Sequence, residues 1–96
     1  MPSAARVGDM HTCPQVTGAV LHRGGPVMPA GCPTVLIAGQ PAARVGDMLA
    51  CTGPTDIIVS GSATVLVGGA PAARMGDKTA HGGIIMEGAP MVQIGG

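Results

Sequence analysis

"GCPTVLIAGQPAARVGD", residues 31–47, returns thirty residues later as "GSATVLVGGAPAARMGD", residues 61–77. Each copy opens on Gly, runs through a β-branched stretch, turns, and closes on Ala-Ala-Arg-x-Gly-Asp. A third copy begins at 88–96, "GAPMVQIGG", and its second half stands at the other end of the chain, "PSAARVGD" at 2–9. Three copies, one divided between the termini, are what a permuted three-fold object looks like in sequence. The two ends are expected side by side, with the strand at 91–95 packed against the segment at 4–7.

Inside each copy, "TVLIAG" and "TVLVGG" are short β-branched runs bounded by Gly and Pro, and they predict strands. A second apolar run belongs to each unit: Ile57-Ile58-Val59, Ile84-Ile85-Met86 and, more weakly, Val27-Met28. Gly and Pro recur every few residues, which excludes helices of ordinary length. The expectation is a single all-β domain over residues 1–96, with short strands wrapped in pseudo-three-fold symmetry.

Composition narrows the function classes. The 96 residues contain no Phe, Trp or Tyr, and the formal net charge is zero. Three copies of each side chain must share the space around a three-fold axis, where Ala, Val and Gly fit and aromatic rings overpack. A neutral chain without stacking platforms is a poor nucleic-acid ligand. No apolar run approaches the roughly 18 residues of a membrane helix. The N-terminus "MPSAARVGDM" has no apolar h-region, so no cleavable signal peptide is expected; the protein is expected to be made in the cytosol and not sent out by the general export route. Three cysteines in a reducing compartment favour thiols or metal ligands over disulfides.

Each unit carries Arg-x-Gly-Asp: Arg6/Asp9, Arg44/Asp47 and Arg74/Asp77. Repeated Gly-Asp is turn chemistry, with Asp tying down loop groups, and a structural turn is expected rather than a charged binding ring. Four residues after each Asp stands Cys13, Cys51 or His81. Three-fold wrapping brings this column to one axis, and all three side chains are metal donors. His11 lies two residues before Cys13, hence on the same face of a strand. The first unit has an insertion after the column, "PQVTGAVLHRGGP", which carries His22. Zn²⁺ accepts tetrahedral mixtures of His and thiolate and is the expected metal. Cys32, whose counterparts are Ser62 and Ala89, is expected to pack in the core.

The Pro-Ala-Ala-Arg phrase at 41–44 and 71–74, with Ser-Ala-Ala-Arg at 3–6, resembles the PAAR-repeat proteins of bacterial type VI secretion systems. Phrase, repeat length and permutation all agree, over the whole chain. The resemblance implies a small conical domain seated on a trimeric spike protein with valine-glycine repeats, one copy per trimer. It also implies a zinc ion near the cone tip, held by three histidines and one cysteine. Transferred to this chain, the histidines are His11, His22 and His81, and the cysteine is Cys51 rather than Cys13. Many members carry toxin domains, for which 96 residues leave no room, so any effector is expected to travel non-covalently. The protein is then expected in the bacterial cytoplasm before firing and outside the cell at the spike tip afterwards, in transient contact with the target membrane.

Three function classes follow. A structural spike tip would cap exposed strand edges with an apolar base. Val35, Ile37, Val65, Val67, Val92 and Ile94 are too many for so small a core, and some are expected to form that base. A zinc hydrolase needs an open metal position and a nearby base, which a closed four-ligand site lacks; the protein is not expected to be an enzyme. A redox or metal-buffering protein needs exposed reactive thiols, and there is no Cys-x-x-Cys.

Overall fold

A computed structural model describes residues 2–13, 16–17, 20–21, 24–29, 31–51 and 55–95, with backbone alone for 16–17 and 20–21. Eleven strands and no helix are found among the described residues: β1 Ser3–Ala4, β2 Val16–Thr17, β3 Val20–Leu21, β4 Gly24–Val27, β5 Cys32–Ile37, β6 Gln40–Ala42, β7 Met48–Cys51, β8 Asp56–Ile57, β9 Leu66–Val67, β10 Ala70–Pro71 and β11 Ala89–Gln93. All pairings between them are antiparallel. The fold is all-β, as the alternation of β-branched runs with Gly and Pro requires.

Three hairpins form one end. β5 pairs β6, β9 pairs β10, and β11 pairs β1 across the two ends of the sequence. The first two turn through two residues of positive φ, Ala38 and Gly39 (50° and 82°) and Gly68 and Gly69 (57° and 84°). Two left-handed residues make the turn whose twist matches that of the flanking strands. In the third hairpin the loop is replaced by the chain termini, and Ile94 N–H donates to Pro2 O at 2.9 Å.

Below the hairpins the chain crosses the axis once per unit. Ala5 N–H donates to Ala73 O, Ala73 N–H to Ala43 O and Ala43 N–H to Ala5 O, each at 3.0 Å. The three bonds make a closed ring of one sense. A second set links the three units in the opposite sense further along: Met28 N–H to Met48 O, Val59 N–H to Lys78 O and Met86 N–H to Met10 O, at 2.9, 3.0 and 2.8 Å. Each unit is thus hydrogen-bonded to the next and not to itself alone. This is why the residues at the crossing are alanines: Ala5, Ala43 and Ala73 are at most 1% exposed, and a larger side chain would be met there three times over.

Two apolar clusters stack along the axis. The first holds Ala4, Cys32, Ile37, Ala42, Val67, Ala72, Ala89 and Ile94. Cys32 is one of its packing residues. The second holds Ala5, Val27, Ala43, Leu49, Ile58, Ala73 and Ile85. The described molecule is elongated, 38 × 23 × 22 Å.

Between the clusters and solvent lie the Arg-x-Gly-Asp turns. Each Asp accepts the backbone N–H of its own Arg, at 2.8, 2.8 and 2.7 Å, and pairs with the same Arg's guanidinium. The intervening Gly8, Gly46 and Gly76 have φ of 95°, 97° and 92°, which selects Gly. The hydrogen bonds to Asp9 and Asp77 raise the pKa of Arg6 and Arg74 against a smaller opposing effect of burial. The groups are turn closures, as their composition suggested.

The hairpin end is apolar on its outside. Leu36 and Leu66 stand 62% and 63% exposed, with Val35, Val65 and Val92 beside them, while Ile37, Val67 and Ile94 turn inward. The six residues expected at a base thus divide into three part-exposed valines and three buried residues, Ile37, Val67 and Ile94, two positions further along.

Candidate metal centre

The segments after the three turns converge at the end opposite the hairpins. β7 points Leu49 into the second cluster, and the same face presents Cys51 two residues on. His11 and Cys13, and Thr79 and His81, repeat that spacing in the other two units. Leu49, His11 and Thr79 are all buried, so the next residue on the same face is Cys51, Cys13 or His81 in each unit.

These three come together. The Sγ atoms of Cys13 and Cys51 are 3.1 Å apart, and Cys13 Sγ is 3.4 Å from His81 Nδ1. One donor atom from each residue lies within 4.8 Å of the others, with Cys13 buried and the other two half-buried. Around a tetrahedral zinc-like ion, bond lengths of about 2.0–2.3 Å put neighbouring donors about 3.3–3.8 Å apart. Two thiols and an imidazole at this spacing fit a metal ion of that class with little movement. Both cysteines of the column are present in the group, not Cys51 alone.

His11 is placed elsewhere. Its Nδ1 is 2.8 Å from Gly25 O and its Nε2 is 3.1 Å from Asp56 Oδ2, with both side chains fully buried. It is not one of the three grouped donors. His22 lies outside the described residues; Gly24, two positions on, is paired with Cys51.

Asp56 is the residue that the sequence did not bring forward. It opens β8 and pairs with Leu49. Its carboxylate accepts the backbone N–H of Ile57 at 2.8 Å and of His81 at 2.9 Å. Burial pushes its pKa up, but hydrogen bonds from Thr79, His81 and Ile57 and the charge of His81 outweigh that and hold it below the ordinary carboxylate value. A signal existed: Asp56 and Glu87 are the only acidic residues outside the repeated turns.

A family model described as the PAAR motif matches residues 17–87. A search of curated proteins returned no significant match. The matched span covers both complete copies of the repeat, two of the three grouped donors and more than half of the chain. The chain belongs to the PAAR-motif family.

Proposed function

We propose that this chain is a structural tip of a type VI secretion spike, seated by its hairpin end on the trimeric valine-glycine-repeat spike protein, one copy per trimer. PAAR-motif proteins are associated with that spike. The observation that carries the reading is geometric. One chain presents three equivalent hairpins around one axis, with Leu36, Leu66, Val35, Val65 and Val92 exposed at their outer face. Such an end is matched to a three-fold partner whose terminal strands need covering.

Cys13, Cys51 and His81 would hold Zn²⁺ at the other end, with His22 as the fourth ligand. Two residues of extended chain span at most about 7 Å, and Gly24 is already paired with Cys51. When bound, zinc supplies a cross-link between the three units, since its binding free energy adds to folding. The tip would thereby resist fraying as it pierces a target membrane and carries effectors bound to the spike. The protein would sit in the bacterial cytoplasm before firing and leave with the spike, without a signal peptide.

A hydrolytic zinc site is disfavoured by the surroundings of the donors. The carboxylate nearest to them, Asp56, is fully buried and occupied by hydrogen bonds, so it is not placed to activate water.

The test is reconstitution with the trimeric spike protein, with stoichiometry and metal content read by native mass spectrometry. One chain and one zinc per trimer are expected. Three chains per trimer, or no complex, would refute capping.

A further inference from the structure

We propose that Cys13 and Cys51 are a redox pair, Cys51 the attacking thiol and Cys13 the resolving one, whose disulfide takes the place of the metal in an oxidising environment. The exchange with the metal rests on the metal-binding reading above; the pairing of the thiols does not.

The two sulfur atoms are 3.1 Å apart. A disulfide bond is about 2.05 Å long, so closure needs an approach of about 1 Å. The local backbone favours it. β4 pairs with the segment of Met10 and His11 on one side and with β7 on the other. At Gly24 and Gly25 it puts no side chain between them, and neither glycine has room for one. A Cβ at Gly24 would run into His11 O, and one at Gly25 would lie 2.7 Å from Ala50 O.

The two thiols differ in access. Cys13 is 7% exposed, and Cys51 is half-buried. An oxidant in solution therefore meets Cys51 first. In the metal-free site the Cys51 thiolate attacks one sulfur of a small disulfide such as oxidised glutathione, and one glutathione thiolate leaves. The Cys13 thiolate then attacks the Cys51 sulfur of this mixed disulfide. The Cys13–Cys51 bond forms and the second glutathione thiolate leaves. Two electrons pass from the cysteines to the oxidant, and the two thiol protons end on glutathione. A disulfide sulfur is no longer a thiolate donor, so of the three grouped donors His81 alone is left and zinc is not retained.

Cys32 is not a third member. It is 4% exposed and packed in the first cluster, toward the hairpins. Three cysteines allow three pairings, and this fold brings one of them together. The bond would cross-link the first and second units, two of the three that zinc joins. That end of the molecule would be held by metal where thiols stay reduced, and by a covalent bond where they do not. A chain that leaves the cytosol with the spike, as proposed above, passes from the first condition to the second.

The experiment incubates wild type with oxidised glutathione and follows mass, thiols and zinc. Zinc-loaded protein without excess metal is expected to lose two hydrogens, retain no glutathione and release one zinc per bond. One thiol should remain for alkylation after unfolding, mapped to Cys32. Free zinc at about 100 times its Kd leaves about one site in 100 metal-free, so oxidation should slow about 100-fold. Oxidised metal-free protein should melt above reduced metal-free protein. Cys13→Ser should stop at the mixed disulfide, with one glutathionyl group on Cys51. A stable glutathione adduct on wild type, a bond to Cys32, or three surviving thiols would overturn the pair. An oxidation rate unchanged by excess zinc would overturn the exchange. A wild type that forms the bond but binds no zinc supports the pair and refutes the metal reading, a distinct outcome.

Discussion

Leu66→Asp separates docking from folding. Leu66 retains 63% of its surface in the free protein. Full burial of a leucine contributes about 1.5–3 kcal/mol, so about 1–2 kcal/mol is left for a partner that covers it. The aspartate also places an unpaired carboxylate under that partner, which costs about 2 kcal/mol or more. A loss of at least about 3 kcal/mol corresponds to a rise in Kd of about 100-fold or more. In the free chain the site faces water, so stability should change by less than about 0.5 kcal/mol. Calorimetric titration against the spike protein, with melting temperature and zinc content read on the same samples, tests each part. Leu36 holds the same place on the neighbouring hairpin, and Leu36→Asp should behave alike. Gln93 holds the third, and Gln93→Leu should tighten binding. A Kd for Leu66→Asp within threefold of wild type, with folding intact, would refute the assignment of the hairpin ring as the seat.

Leu49→Ala removes a side chain with no exposed surface from the centre of the second cluster and should destabilise by about 2–5 kcal/mol in urea titration. Gly61→Ala places a Cβ 2.7 Å from Ala72 O and 3.0 Å from Val45 Cγ2; calorimetry should show a loss of about 1–3 kcal/mol from this overpacking. Chelation should lower the melting temperature of wild type, and His81→Ala should melt near the chelated value with or without added zinc. Oxidised glutathione should join Cys13 to Cys51 by thiol–disulfide exchange, releasing two equivalents of reduced glutathione. Zinc should leave in proportion, and a mass lower by two hydrogens in the metal-free product should report the bond. Cys13→Ser should show no such mass change.

The all-β class was legible because Gly and Pro interrupt every stretch that could have been helical. The hairpins of β5 and β9 followed from "TVLIAG" and "TVLVGG". β7 was not legible: Met48–Cys51 has no β-branched residue, and its pairing with β4 comes from a neighbouring unit. β4, "GGPV", reads as a turn because Gly-Gly-Pro precedes its one β-branched residue, Val27. At the candidate centre, the column of Cys13, Cys51 and His81 could be read from the repeat alone, because one offset recurs three times. The place of His11 could not. Two residues from Cys13 on one strand face means one layer deeper, and only the stacked structure separates donors from the layer beneath them. Asp56 stood in no motif, since its counterparts are glycines without side chains.

The ring of alanine hydrogen bonds has a consequence for how the protein is made. Ala5 N–H bonds to Ala73 O, and β1 bonds to β11, so partners lie nearly a whole chain length apart. A contact pattern of that kind slows folding, because loop-closure entropy is lost before the distant pairings compensate for it. Nor does any unit hold a complete set of its own bonds. A partly synthesised chain can therefore form the local hairpin β5–β6, but the alanine ring closes only once residue 73 is available and the β1–β11 pairing only once residue 93 is. Until then the alanine crossings and the apolar strands are open to water, and the metal donors have no common position.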